Sequence, residues 1–461
     1  MEKTIYNKRY LARVVVEAAT PLAVGTGDKD VLTDALVARD LNGLPYIPGS
    51  SIAGVLRHSI GDNNDKDSIF GFQEGDKGHG SCIIFTDAVL IDENGEAEDG
   101  LMISEKSDFL SHYAALPIRQ HVSINDKGST NSGGKFDEQV VYQGSRFVFE
   151  IEMVDNSDNE SRFREVLGNI YTQLFRLGGG TRCGFGAMKV IDVQYRSLDL
   201  NVPADLELYI SKSSSLKHNW EAYQPYTPKN KEEEIWHEYV LELKPMDFFL
   251  FSSGFSDDDA DITPVTESYI TWNENNGKGH FVDGGVLIPA TSFKGALAHR
   301  VAYHWNKINQ YFIDEVNGTV GNGKVGDEND AIVKLFGSSG SDSDAISRGN
   351  VLLSDIIMEP SAGLDKLREN KIFNHVTIDR ITGGTIDGHI FTEKVTHRPH
   401  QAFKEVLYVN AEVLKDKVIK QALERSLQDI CDGLLPLGGG TNRGHGIFTG
   451  SIIKGIDNNG N

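Results

Sequence analysis

The sequence predicts an α+β protein built as a tandem duplication, and three observations carry that prediction. A glycine-rich stretch occurs twice, as Leu177-Gly-Gly-Gly-Thr-Arg-Cys-Gly-Phe-Gly186 and as Leu437-Gly-Gly-Gly-Thr-Asn-Arg-Gly-His-Gly446. Other short motifs recur in the same order at near-constant offset, pairing Gly54 with Gly295, Gly71 with Gly337 and His121 with His375. Segments of strand and helix periodicity follow one another in the same order through both halves, the mark of an internal repeat.

In the first half, residues 9–24 are β-branched and partly alternating, so they read as a first strand. A loop rich in Gly, Asp and Thr follows to Asp40. Pro48-Gly49 marks a turn, Ser50 or Ser51 suits an N-cap, and Ile52, Val55, Leu56 and Ile60 have helical spacing. Ile69-Phe-Gly71 and a strand over 81–90 come next. The polar, glycine-rich segment 112–145 between extended flanks predicts a long hairpin, 147–153 alternates as a strand, and 162–176 has helical spacing. The glycine loop and a last strand, Ala187 to Val193, complete the half. The second half repeats this order. Tyr239-Val-Leu-Glu-Leu is its first strand, 252–265 its acidic loop, Val286 to Leu297 its turn and helix, and Leu335-Phe-Gly337 its Phe-Gly pair. Val351 to Ile357 is the next strand, His375-Val-Thr-Ile-Asp379 echoes His121-Val-Ser-Ile-Asn125, and Val406 to Ala411 is the later strand. The expected division is a first domain over 1–196, a linker with some packed structure over 197–237, and a second domain over 238–461.

At 461 residues, with 39% hydrophobic and 24% charged side chains, the chain has room for two or three domains with cores of their own. Its 48 glycines sit largely in turns and favour strand-rich architecture. No apolar run approaches a membrane span, and the start lacks the apolar core of a signal peptide. Cys82, Cys183 and Cys431 are far apart and odd in number, which points to a reducing cytoplasm and away from a disulfide framework or structural zinc. A formal charge of −22 argues against casual nucleic-acid binding but permits a focused basic face.

Three adjacent glycines offer backbone that a ligand can approach closely, and Arg182 and Arg443 beside them suit a phosphate. The helix start after Pro48-Gly49 is a second place for a phosphate. Neither glycine loop is a nucleotide signature: there is no G-x-x-x-x-G-K-[ST] and no correctly spaced dinucleotide fingerprint.

These motifs together resemble the RAMP superfamily, the RNA-recognition-motif-like subunits of CRISPR effector complexes, and most of all the backbone subunits of type III complexes fused in tandem. The residues that carry the resemblance are Pro21 to Gly27, Leu44-Pro-Tyr-Ile-Pro-Gly-Ser-Ser-Ile-Ala-Gly-Val-Leu-Arg57, the Phe-Gly pairs, His375-Val-Thr-Ile-Asp-Arg-Ile-Thr-Gly-Gly384 and both Gly-Gly-Gly-Thr loops. The resemblance implies two modified RNA-recognition-motif (ferredoxin-like) domains with thumb hairpins, at about 112–145 and 371–406. It also implies guide RNA, complementary target RNA and other effector subunits as partners, with no membrane. The second thumb is the more basic and aromatic, with Lys371, Arg380, Lys394, His397, Arg398, His400 and Phe403. RNA contacts are expected at Ser50, Ser51, Arg57, Arg119 and Arg182 in the first half, and at Ser292, Lys294, Arg380, Arg398 and Arg443 in the second.

Family members that cut target RNA use an aspartate in the loop after the first strand, with a divalent metal, here magnesium or manganese. The family spacing places it at Asp34, six residues before Asp40, with Asp28 and Asp30 as neighbouring candidates for catalysis and metal binding. In the second half the same spacing chooses Asp261 from Asp257, Asp258, Asp259 and Asp261. The helix start departs from the family pattern. The first half has Ala53 in place of a Lys but keeps Arg57, and the second keeps Lys294 but has Ala298 in place of the Arg. Two rivals stand beside this reading: a guide-processing nuclease using His445 or His58, and a non-catalytic scaffold.

Overall fold

The computed structural model of the chain describes residues 6–27, 33–60, 64–102, 106–125, 128–156, 159–228, 235–311, 323–339, 346–361, 369–399 and 401–455. Asp28, Asp30 and His400 lie outside the described residues.

The first half is organised on strand β1 (Lys8–Ala18). Its alternation buries Tyr10, Ala12, Val14, Val16 and Ala18 on one face, as β-branched and aromatic residues on a half-buried sheet do. Helix α1 (Gly49–Ser59) follows, then strand β2 (Ile83–Phe85). The long hairpin is β3 (Ile118–Ile124) and β4 (Thr130–Gln139). Strand β5 (Arg146–Asp155), helix α2 (Glu160–Ile170) and strand β6 (Met188–Asp199) complete the unit. Four strands of the first sheet lie in the order β6-β1-β5-β2, all antiparallel. Counted along the chain that is 4-1-3-2, the expected ferredoxin-like order, with hydrophobic faces of α1 (Ile52, Leu56) and α2 (Phe163, Val166, Leu167, Ile170) packed into the same core. The Tyr10 and Phe163 rings stack with centroids 5.9 Å apart.

The second half repeats the plan. Strand β7 (Trp236–Pro245) is central; a hairpin of β8 (Thr266–Trp272) and β9 (Gly279–Ile288) leads into helix α4 (Ala290–Ile308). Strand β10 (Val351–Leu352), the long hairpin β11 (Asn370–Ile378) and β12 (Thr385–His397), strand β13 (Phe403–Asn410), helix α5 (Lys417–Cys431) and strand β14 (Phe448–Lys454) follow. The sheet order β14-β7-β13-β10 is again 4-1-3-2. Phe293, Leu297 and Val301 of α4 share a second core with Ile419, Leu423, Leu427 and Ile430 of α5.

Between the halves, β6 runs on to Asp199, and helix α3 (Pro203–Ser211) closes over it through Leu208 and Tyr209 on Leu11, Leu198 and Tyr223. The β8–β9 hairpin has no counterpart among the sequence expectations. It belongs to the second half in sequence but packs on the first. The Phe281 ring lies 5.0 Å from Phe109, 5.0 Å from Tyr142 and stacked 4.3 Å from His112. Trp272 Nε1 donates to Gly144 O at 2.8 Å, Arg146 lies 4.0 Å over the Trp272 ring, and Ile270 joins the first core. In the first half the same place in the chain holds only a tight turn, in which the Asp40 carboxylate accepts from the N–H groups of Asn42 and Leu44.

Candidate nucleic-acid interface

Each long hairpin stands on its half as a thumb, and the two thumbs share one register. His121 lies opposite Phe136 and His375 opposite Phe391, and each ladder slips at the same point, after Val122 and after Val376. The loop after the first strand comes back to the base of the thumb in a parallel bridge, Ala35 with Glu138 and Ile262 with Glu393. The two candidate aspartates stand immediately before these bridges, so they occupy the same place in the two halves.

Their fixation is also alike. The Asp34 N–H donates to Asp137 Oδ1 at 2.9 Å, and Asp34 Oδ2 accepts from the Asp137 N–H at 3.2 Å. The Asp261 N–H donates to Thr392 Oγ1 at 2.9 Å, and Asp261 Oδ2 accepts from the Thr392 N–H at 2.8 Å and from its hydroxyl at 2.9 Å. Those two donors, the backbone N–H first, hold the Asp261 carboxyl below the usual carboxylate range. Both aspartates are exposed. Lys394 pairs with Asp257 and Asp259, which pins the acidic loop to the second thumb.

Behind each aspartate, in the thumb itself, is a histidine–glutamate pair. His121 Nε2 lies 2.9 Å from Glu138, and His375 Nε2 lies 2.8 Å from Glu393. Each imidazole stacks on the phenylalanine opposite, at 4.8 Å on Phe136 and 4.7 Å on Phe391. In the second half Glu393, fully buried, also receives Arg443 at 2.5 Å and His445 at 3.1 Å. Burial works against its charge, yet the hydrogen bonds from Arg443 and His375 hold its carboxyl below the ordinary range. Sequence reasoning marks His121 and His375 as repeat positions but misses their partners. A signal for them exists: Phe136-Asp-Glu138 and Phe391-Thr-Glu393 are the same Phe-x-Glu pattern.

The glycine loops lie beside the thumbs, stitched to the segment after each first strand. Gly179 N–H donates to Ala23 O at 2.6 Å and Gly439 N–H to Leu250 O at 2.7 Å. A Cβ on Gly178 would sit 2.4 Å from Ala23 O, and one on Gly438 would sit 2.4 Å from Leu250 O, both at positive φ. The first glycine of each triplet therefore answers a close approach of the protein's own backbone.

The expected RNA-contact residues divide. Arg119 does not face solvent: it is 5% exposed, donates to Glu267 Oε2 at 2.8 Å and pairs with Asp355 at 3.1 Å. Arg398, 4% exposed, is paired with Glu369 and donates to Glu359 O. Both are corrected from RNA contacts to buried structural cations, because a buried guanidinium needs a carboxylate and each has one. Arg182 donates to Gly349 O at 2.9 Å and lies over the Trp236 ring; burial pushes its guanidinium down to about 10. Arg57 is held within its own half by Gly71 O at 2.5 Å and Asp67 at 2.8 Å. Arg380 is exposed at the tip of the second thumb, Arg443 is over a third exposed, and Lys294 is half-buried. Ser50, Ser51 and Ser292 lie in first helical turns, but none is the N-cap, which is Pro48 in α1 and Pro289 in α4. The N-terminal N–H of each helix is already taken by a carboxylate, Gly49 by Asp87 at 2.8 Å and Ala290 by Asp355 at 2.7 Å. A phosphate there would have to dock beside an aspartate.

Among the described residues, no group of three or more His, Cys, Asp and Glu could hold a metal ion. Asp34 and Asp137 offer two carboxylates, a donor set that fits a magnesium ion kept largely by water and substrate oxygens and not one caged by protein. No helix among the described residues is long and apolar enough to cross a membrane.

The CRISPR system Cms endoribonuclease Csm3 of Methanocaldococcus jannaschii is 25% identical over 256 residues, which span 51% of this chain and 98% of that protein. The RAMP superfamily model matches residues 15–189 and 262–449, one stretch in each half. With both repeats matched over most of their length, the chain belongs to the RAMP superfamily.

Proposed function

We propose that the chain is a backbone subunit of a type III CRISPR ribonucleoprotein. It holds guide RNA over two successive positions and cuts the paired target RNA at each, through Asp34 and Asp261. The observation that carries this reading is the equivalence of the two aspartates. Chosen by spacing, they stand at one structural position, exposed at the base of a thumb and fixed by reciprocal hydrogen bonds. The relationship to a Csm3 endoribonuclease supports the same reading.

The thumbs suit the task of separating bases. Val122, Ile124 and Phe136 of the first, and Val376, Ile378, Ile381 and Ile390 of the second, are large apolar side chains left in solvent. Such groups wedge into or stack on bases, and a base displaced beside a thumb leaves its phosphodiester splayed next to the aspartate. The aspartate backbone is held, so its carboxylate can orient the 2′-hydroxyl for in-line attack without first being ordered. A magnesium or manganese ion bound there supplies charge neutralisation at the phosphate. His445 is only 7% exposed and tied to Glu393, which speaks against it as the base of a guide-processing site.

The test is cleavage mapping on the complex reconstituted with guide RNA. Asp34→Ala removes one cut, Asp261→Ala removes the neighbouring cut, and the double variant removes both, with guide loading unchanged. Both cuts surviving in a guide-loaded double variant would overturn the proposal.

A further inference from the structure

The two halves meet through a joint whose two sides the internal repeat ought to reproduce on the other faces of the halves, and among the described residues it does so only in part. In the joint, three arginines of the first half reach into the second. Arg119 pairs with Glu267 and Asp355; Arg176 donates to Leu353 O at 2.7 Å and Ser354 Oγ at 3.0 Å; Arg182 donates to Gly349 O. Gly184 sits so close to α4 that a Cβ would lie 2.6 Å from both the Ala290 Cβ and Asp355 Oδ1.

The shared thumb register and the aligned glycine loops identify the counterparts. In the second half Arg119, Arg176 and Arg182 are replaced by Phe373, Pro436 and Asn442. Arg443 is the one arginine of that loop, and Glu393 of its own half holds it. At Gly444, the counterpart of Gly184, an added Cβ would meet nothing within 4 Å. The receiving surface is kept on the first half. Asp87 is the counterpart of Asp355, caps its helix in the same way, and is exposed where Asp355 is 6% exposed. Ser81 is likewise exposed where its counterpart Gly349 is buried.

We propose that this open face of the first half, centred on Asp87, docks a different protein subunit that presents arginines from its own glycine loop and thumb base, and not a second copy of this chain. A second copy would bring Phe373, Pro436 and Asn442 to the acidic face and leave Asp87 without a cation. The inference rests on the repeat and the joint, independently of the RNA chemistry proposed above. The partner is thus defined by chemistry: a cationic loop facing a carboxylate, where charge complementarity sets both partner choice and orientation.

The experiment uses this chain as its own probe. RNA-free wild-type protein, followed by sedimentation velocity over a concentration series, is expected to hold one sedimentation coefficient. Phe373→Arg combined with Asn442→Arg rebuilds the joint's cations at the free end, and the coefficient is expected to rise with concentration. Adding Asp87→Asn, which keeps the helix-capping oxygen and removes the charge, is expected to abolish that rise. Asn442→Arg alone, on an exposed loop, serves if the double variant is misfolded. Two results overturn the proposal: wild-type self-association that Asp87→Asn abolishes, which makes a second copy the occupant, or folded arginine variants that stay monomeric.

Discussion

The two thumb bases share a backbone and differ in their side chains. At the first, Asp34 faces a second carboxylate, Asp137; at the second, Asp261 faces the hydroxyl of Thr392. At the first, Glu138 has His121 as neighbour and Phe185 fills the glycine loop; at the second, Glu393 gathers His375, Arg443 and His445. Even the cores diverge. The place that Phe149 fills opposite Val14 is taken by Glu405 opposite Leu241, buried with neither carboxylate oxygen hydrogen-bonded. After duplication the hydrogen-bonded frame was held while the charges around it were free to change. The position proposed for cleavage is therefore preserved as a piece of backbone geometry, and its electrostatics is set separately in each half.

The strongest way to break this comparison is Arg119→Ala. It strands Glu267 and Asp355 in the joint without their cation, and the expected loss is about 3–5 kcal/mol in chemical denaturation. Phe373→Ala, the same position in the other half, strands no charge and should cost clearly less; equal losses would show that the joint has no special electrostatic role.

The loss of one cut in Asp34→Ala should be at least about 100-fold, as for removal of a group that acts in the transition state. The mirrored loss in Asp261→Ala measures how far the second site matches the first.

Glu405 supplies a pH test. Burial, with Asp355 nearby, pushes its carboxyl well above the usual range, so the folded chain keeps a proton that the unfolded chain releases. Stability from this group is therefore fully present below the ordinary glutamate pKa and declines as pH rises above it. Glu405→Gln should flatten that decline in denaturation midpoints taken from acid to neutral pH, whereas Phe149 in the first half has no such slope to remove. An unchanged slope in the variant would assign the decline to other groups.

The smallest effect expected is from Thr392→Asp, which gives the second half the carboxylate pair of the first. The second cut should then reach half its maximal rate at a lower magnesium concentration, by a few-fold, with the first cut unaffected. No change in the metal titration would mean that Asp137 contributes nothing at the first site.

Much of this architecture can be read from residues alone. The repeated glycine stretch, the Phe-Gly pairs and the two polar hairpins give the tandem order. The spacing from Asp40 back to Asp34 gives a position that the fold repeats at Asp261. The fate of the cations is not legible, because an arginine's type does not say whether a carboxylate waits for it from a distant part of the chain. Glu267 lies far along the sequence from Arg119, and nothing local to either announces the other. Arg398 and Glu369 pose the same difficulty. The β8–β9 hairpin escapes for a related reason. The alternation Thr266-Glu-Ser-Tyr-Ile-Thr-Trp272 is a fair strand signal, but the surface it helps cover is made by Phe109, Tyr113 and Tyr142 of the other half.

That hairpin also orders events during synthesis. The first half leaves the ribosome with its sheet, helices and thumb all encoded, yet with an aromatic surface on which Ile270, Trp272 and Phe281 of the second half pack. Until those residues emerge, the nascent chain carries a sticky, unfinished flank. A gene cut between the repeats would leave Phe109, Tyr113 and Tyr142 of the first half without the Phe281 ring that packs on them, so in packing terms the later repeat finishes the earlier one.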